Sequence, residues 1–536
     1  MTGYQSRVER FRSPQFTDVM EAVAVDHGVC VRPIAIRRIN VDTGETTVFD
    51  VPCGATLASK CPSCAERRRR LRMAQCRVGW HLETEPDVAP EEPTEEQRWL
   101  VTFRADVQAQ RDAAADEGGD TAQFDEVLAD VDEQLRARGV RGNATGKSRR
   151  RVRSTRRRRD ASELPRRTVE DRTVARAFTT PDGKVFRPSM GLTLTLGSYG
   201  RVLPDGTPVD PESYDYRAAA KDAIHFPKLV DRLWQNLRRF VGYDVQYFAA
   251  VEPQKRFAPH LHAAVRGTIS RSDLRQVVAA TYHQVWWPAC DQVVYDDGHL
   301  LEWDPNREVW VDPDTGRPLP TWDQALDALD ADPEAEPCHV VRFGAQLHAE
   351  GVLAGTAQAD KWIGYVGKYL TKSAHECHAP DTDRQKAHLD RLWQALRYEP
   401  CAPTCPNWLR YGVQPKNAKP GQKPGCCRGK VHRRETLGIG GRRVLVSRKW
   451  SGKTLADHAH DQRAWVLDTL GLSATDSAAD SYAWQPVKPD DPDVAPLAHR
   501  LMRAIADRAR WRHALDAAKR AARGDPVTLS ATDQAA

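Results

Sequence analysis

The sequence predicts an α+β protein whose core runs β-α-β-β-α-β, with a cysteine-bearing module before it and a basic extension after it. Three observations predict this. From about Met190, apolar residues alternate at strand period and then recur at helical period, twice over. The 12 cysteines fall mostly into two clusters, one on each side of that core. Acidic and basic residues are segregated: "ETEPDVAPEEPTEE" (83–96) is followed by "KSRRRVRSTRRRR" (147–159).

Each core element has its own signature. "MGLTLTLG" alternates Leu192, Leu194 and Leu196 against threonines, a strand. "PKLVDRLWQNLRRF" opens at Pro227 and repeats Leu229, Leu233 and Leu237 at helical spacing. "YDVQYFAAVE" (243–252) is a strand stopped by Pro253, and "HLHAAVRG" is the next. "SRSDLRQVVAATYHQVWW" (270–287) reads as one helix with a serine cap. "HVVRFGAQ" (339–346) is the fourth strand, and "DKWIGYVGKYLTKS" (360–373) a final helix. The order is ferredoxin-like, which makes the first and third strands central neighbours.

At 536 residues the chain is long enough for two to four domains. The division expected is 1–82, an N-terminal region with a metal module; 83–184, an acidic and helical insertion with an Arg-rich linker; 185–380, the core; 381–455, a Cys-containing basic extension; and 456–536, a C-terminal helical region. Within the second of these, 98–138 reads as helical and mostly solvated. A net charge of +6 is too small to imply a polyanionic partner; the local basic clusters carry that argument instead. No apolar run approaches the ~20 residues that span a bilayer, and the N-terminus lacks a signal-peptide core, so a cytoplasmic protein without a membrane partner is expected.

Chemistry gathers in three places. His260 and His262 flank Leu261 on a strand, so both imidazoles project from one face. Glu252 ends the preceding strand, and antiparallel pairing would bring its carboxylate near them; two imidazoles and a carboxylate suit a divalent ion that must also hold substrate oxygens. In "YVGKYLTK", Tyr365 and Tyr369 lie four apart on one predicted helical face, each followed three residues later by Lys368 and Lys372. A phenol is a weak nucleophile at neutral pH, but it can attack a phosphodiester when a metal withdraws charge from the phosphate and lysines favour the phenolate.

These motifs, "LTLTLGSYG", "VEPQKRFAPHLHAAVRG" and "YVGKYLTK", resemble those of the HUH endonuclease superfamily, and more narrowly the RepSA-like replication initiators of actinobacterial rolling-circle plasmids and integrative elements. The resemblance covers roughly 185–455 and the cysteines at 53–76; 84–140 and 291–337 look like insertions. It implies an HUH core that nicks and rejoins origin DNA through a 5′-phosphotyrosine. His260, His262 and Glu252 would hold Mg²⁺ or Mn²⁺, Tyr369 would be the primary nucleophile, and Tyr365 stands where relatives carry a second tyrosine or a glutamate. The implied partners are the double-strand origin, the displaced single strand, and a host helicase and polymerase.

"CGATLASKCPSCAERRRRLRMAQC" supplies Cys53, Cys61, Cys64 and Cys76 for a structural zinc, with His81 as an alternative to Cys76; its C-x2-C pair is the specific part. A second possible zinc set is Cys401, Cys405, Cys426, Cys427 and His432, with the choice between the adjacent cysteines open. Arg67, Arg68, Arg69 and Arg70, and Arg442, Arg443, Arg448 and Lys449 around Trp450, are candidate DNA contacts. Residues 497–523 form a basic amphipathic helix. Two phosphate-loop look-alikes fail: "SGKT" (451–454) has Ser447 where glycine is required, and "GNATGKS" (142–148) is one residue short. An HUH transposase, a zinc-dependent DNA-binding regulator without catalysis, and an H-x-H hydrolase of small phosphoesters are the competing readings.

Overall fold

Alternation along the central strands decides the layering. The computed structural model describes residues 14–80, 82–86, 92–140, 158, 160–174, 177–179, 181–183, 185–296, 300–353, 355–368, 370–472, 482–488 and 490–523. The chain enters through α1 (Pro14–Asp26), the hairpin β1 (Ile34–Asn40) and β2 (Thr46–Val51), and α2 (Pro62–Trp80), followed by α3 (Glu95–Asp116) and α4 (Ala122–Ala137). The core comprises β3 (Pro188–Leu196), α5 (Tyr216–Val241), β4 (Tyr247–Pro253), β5 (Pro259–Arg266), α6 (Arg271–Ala279), β6 (Tyr282–Val285), β7 (His339–Leu353), α7 (Ala357–Gly367) and α8 (Asp383–Tyr398). It is followed by β8 (Val444–Val446), α9 (Leu455–Thr469), β9 (Tyr482–Pro486) and α10 (Leu497–Arg523).

The five core strands and β8 form one antiparallel six-stranded sheet in the order β8-β4-β5-β3-β7-β6. β5 therefore lies between β4 and β3, with His262 opposite Ala250 on one side and Thr193 on the other. Leu192, Leu194 and Leu196 of β3 and Leu261, Ala263 and Val265 of β5 turn toward α5, where Phe226, Leu229, Leu233 and Leu237 complete a core. The other face carries Ala250 and Ala264, covered by Trp362, Ile363 and Val366 of α7, Cys76 and Trp80 of α2, and Trp450.

Several boundaries differ from the sequence reading, among them the start of the second strand, at Tyr247. α5 begins at Tyr216, with the Asp215 side chain accepting from Ala218 N at 2.8 Å, so Pro227 lies inside the helix, on its solvent side. The stretch 270–287 divides: α6 ends at Ala279, and Tyr282–Val285 pairs with His339–Arg342 as an edge strand, the aromatic and β-branched residues favouring a sheet once a partner is available. The strand expected at 339–346 continues to Leu353, with an irregularity between Phe343 and Leu347.

The N- and C-terminal parts share one body. β9 pairs with β1 in a three-stranded sheet, and α10 lays Leu501 against Ala24 and the cysteines of the entry module. Ion pairs from Arg37 to Asp491 and from Arg500 to Asp50 rim the contact. α2 is tied to the core sheet by the buried Arg266, whose guanidinium donates to Gly79 O at 2.7 and 3.1 Å, to Thr173 Oγ1 at 3.1 Å and to Trp450 O. The segment expected to be helical at 98–138 is two helices, closed on themselves through Leu100, Val131 and Leu135. Of the arginine run 147–159, only Arg158 is among the described residues. No described helix is long and apolar enough to cross a membrane.

Candidate functional site

Register places the candidate metal ligands together. Glu252 on β4 is the cross-strand partner of His260 on β5, and Thr195 on β3 faces the same histidine from the other side. On the face opposite α5, the ligand atoms of Glu252, His260 and His262 all lie within 4.8 Å of one another. The neighbouring threonines fix the rings: Thr195 Oγ1 is 2.5 Å from His260 Nδ1, and Thr193 Oγ1 is 3.0 Å from His262 Nδ1. Holding Nδ1 in this way turns each Nε2 toward the common point, as the outer partners of metal-bound histidines do. His262 Nε2 lies 2.8 Å from Glu252 Oε1. Burial, then the neighbouring His262 and Arg256, push His260 down to about 3, so it is neutral at physiological pH and able to ligate. The donor set, two imidazoles and one carboxylate, fits a divalent cation with coordination positions left for substrate.

α7 delivers a phenol to this point. Thr356 caps the helix by accepting from Ala359 N, and Trp362, Ile363 and Val366 anchor it to the sheet. The Tyr365 hydroxyl lies 3.2 Å from His262 Nε2, and the two rings meet edge to face at 4.7 Å. Tyr365 is 41% exposed, with its ring meeting His262 and, at 6.0 Å, the Trp362 ring of its own helix. The helix expected over 360–373 stops earlier: Gly367 is its last residue and Lys368 its cap. Tyr369 lies outside the described residues. Lys372 contributes its backbone carbonyl, which accepts from Arg443.

Both cysteine clusters close, the first with one change of membership and the second with Cys427 taken from the adjacent pair. In the first, the Sγ atoms of Cys30, Cys53, Cys61 and Cys64 lie within 4.8 Å of one another. Tetrahedral zinc with Zn–S near ~2.3 Å requires sulfurs about 3.8 Å apart, and Cys61 and Cys30 are separated by 3.8 Å. Cys76, expected as the fourth ligand, instead points into the apolar layer with Trp80 and Trp450. It sits near the far end of α2, whereas Cys64 is at the beginning, and the length of the helix separates them. Cys30 was legible as a cysteine but lies 23 residues before Cys53, beyond any compact spacing motif. His81 is outside the described residues.

The second cluster is Cys401, Cys405, Cys427 and His432. Cys401 and Cys427 Sγ are 3.9 Å apart, and Cys405 Sγ is 3.7 Å from His432 Nε2. His432 Nδ1 donates to Leu396 O at 2.6 Å, which directs Nε2 inward. Cys426 is exposed and excluded. Asn407 braces the loop by donating to Arg397 O and Glu399 O and accepting from Gly425 N. Both clusters can hold a metal such as zinc.

The basic candidates divide. Arg67, Arg68 and Arg70 are exposed on α2, although Arg69 and Arg70 share Glu66. Arg442 and Arg448 are exposed. Arg443 is structural, donating to Val251 O at 3.0 Å and to Lys372 O, and Lys449 pairs with Asp171. Trp450 offers no stacking surface: it is fully buried, and its indole covers Gly79, where a Cβ would overlap the ring.

A family model, RepSA, described as replication initiator protein, pSAM2, matches residues 16–507. No curated protein and no solved structure matches the chain.

Proposed function

The chain belongs to the RepSA family of replication initiator proteins, and from that premise we propose that it starts rolling-circle replication by nicking and rejoining one strand of its origin on a ferredoxin-like HUH core. One observation carries the reading: the Glu252, His260 and His262 ligand atoms lie within 4.8 Å of one another, with the Tyr365 hydroxyl 3.2 Å from His262 Nε2. The strand order supports it as well, since the third strand of the β-α-β-β-α-β series lies between the first and second.

Glu252, His260 and His262 would hold Mg²⁺ or Mn²⁺, which, when bound, withdraws charge from the non-bridging phosphate oxygens. Thr193 and Thr195 keep the imidazoles oriented. The phenolate oxygen forms a bond to phosphorus and the bond to the 3′ oxygen breaks, leaving a 5′-phosphotyrosine and a 3′-hydroxyl. The proton lost by the phenol balances the one gained by the 3′ oxygen. Because the ester retains the bond energy, attack by a later 3′-hydroxyl rejoins the strand without ATP. The Tyr365 hydroxyl beside His262 supports Tyr365 for the first attack in place of Tyr369, which would then serve the second transfer, while Lys368 and Lys372 would hold phosphate. The cysteine clusters bind structural zinc, Arg67, Arg68, Arg442 and Arg448 contact DNA, and host enzymes supply unwinding and synthesis.

The test is covalent capture. Supercoiled DNA carrying the element's origin is incubated with the protein and Mg²⁺ or Mn²⁺, and the tyrosine–DNA linkage is mapped. Tyr365→Phe should abolish first-strand adduct while Tyr369→Phe retains it, and His260→Ala with His262→Ala should remove divalent-dependent nicking. Full adduct in Tyr365→Phe overturns the Tyr365 assignment; unchanged nicking in the double histidine variant overturns the metal assignment.

A further inference from the structure

The sheet has a second basic surface, on the face and edge away from the histidines. A groove of about 920 Å³ runs between α5 and the edge strand β6. One wall is a stripe of α5: Lys228, Arg232, Asn236 and Arg239, spaced four, four and three, which is one helical face. The other is β6, with Tyr282, His283 and Gln284, leading to Trp286 and Trp287. Arg166 completes the rim, and the lining contains no carboxylate. Lys228, Arg232, Arg239 and Arg166 are exposed, and among the described residues no ion pair neutralises them. At the mouth, Arg158 donates its backbone N–H to the Tyr282 hydroxyl at 3.0 Å and sets its guanidinium over that ring at 5.9 Å.

We propose that this groove binds a single strand of DNA, with Lys228, Arg232 and Arg239 on successive phosphates and the Tyr282–Trp286 wall against the bases. Cations along one side and aromatic rings along the other are the two components of sequence-tolerant single-strand binding. The groove has room for a short run of nucleotides. β6 lies three strand intervals from β5, about 14 Å at ~4.8 Å per interval, and α5 covers the opposite face from the histidines. The groove is therefore distinct from the nicking site, and a strand in it is held beside that site and not within it. Its role as a holder of origin DNA rests on the nicking reading above; its affinity for a strand does not.

The experiment measures anisotropy of fluorescein-labelled oligothymidylate with the full chain, without added divalent ion, across a salt series. Removing three phosphate contacts should lower the slope of log K against log salt by about 2 and weaken binding roughly 100-fold at ~0.1 M salt. The variant is Lys228→Glu with Arg232→Glu and Arg239→Glu; the same positions changed to Gln, with thermal unfolding measured for both, control for folding. An unchanged slope in folded variants overturns the proposal. So does a slope change confined to duplex probes, or displacement of the oligonucleotide only by an acidic protein. Because the probe carries no origin and is bound without cleavage, a chain that fails to nick can still bind it. Failure of the groove thus remains separable from failure of the nicking reading.

Discussion

Gly191→Ala tests whether the tyrosine is held in place by packing. Gly191 sits on β3 directly beneath α7, where an added Cβ would overlap the indole of Trp362. That indole is almost fully buried, and its Nε1 donates to Glu350 Oε2 at 2.9 Å, so it has little room to turn aside. Tyr365 follows Trp362 by one helical turn, and any displacement of the indole is passed along the same rigid element. Overpacking of this kind costs about 1–3 kcal/mol, and a displacement near ~1 Å at a reacting group lowers rate by roughly 100-fold. The assay is the single-turnover rate of adduct formation on an origin oligonucleotide, with thermal unfolding measured in parallel. The variant should remain folded and form adduct about 100-fold more slowly. Trp362→Leu in the same chain removes the overlap and should restore part of the lost stability. Adduct formation at the wild-type rate in a folded Gly191→Ala protein would refute the claim that close packing at this contact positions the phenol.

Three further outcomes follow from individual contacts. Cys30→Ser should lower bound zinc by one equivalent while Cys76→Ser leaves it unchanged, measured by metal analysis of the purified protein; the reverse result would restore Cys76 as the ligand. Gly429→Ala places a Cβ 3.1 Å from Cys401 Sγ and 3.4 Å from Cys427 Sγ, so a chromophoric chelator should remove the second metal faster than from wild type. Arg266→Leu leaves the carbonyls of Gly79 and Trp450 without their buried cationic donor. Charge-assisted hydrogen bonds of this kind are worth ~1.5–3 kcal/mol each, and the loss should appear as a lower first transition in thermal unfolding.

What could be read from the sequence followed from short-range periodicity. Leu192, Leu194 and Leu196 fixed a strand face, and the H-x-H spacing put two imidazoles on the opposite face of a neighbouring strand, as observed. Glu252 was legible because a short turn forces antiparallel pairing of the strands it joins. Long-range partners were not. Cys30 reaches its cluster through the folding of β1 and β2 and has no local spacing to announce it. Trp450 amid basic residues reads as a stacking aromatic, but it is buried by α2, an element nearly four hundred residues earlier that hydrogen-bonds it through Gln75 O. Tyr282 to Trp287 carried helical continuity from α6, and only the presence of β7 makes part of it an edge strand. The groove described above was invisible for the same reason: its two walls are adjacent only after β6 leaves the helix.

The first cysteine cluster has a physical route to the tyrosine. Its loop donates from Ala58 N to Thr371 O at 2.8 Å, and Ser59 hydrogen-bonds Glu376, which in turn caps the backbone at Ser373. From the same module, α2 brings Met73 against Gly367 at the end of α7 and Arg77 to Asp360 at 2.9 Å near its start. Both ends of the tyrosine helix, and the segment leaving it, are thus held by residues of the cluster's loop and of α2. A metal that ties Cys30 and Cys53 to Cys61 and Cys64 fixes the beginning of α2, because Cys61 and Cys64 flank its first residues. Loss of that metal loosens the support under α7 while leaving Glu252, His260 and His262 on their strands. The two effects can be told apart: a chain stripped of the first metal should retain divalent binding at the histidines yet form adduct slowly. A chain that nicks at full rate after that loss would show that the sheet and Trp362 alone hold the phenol.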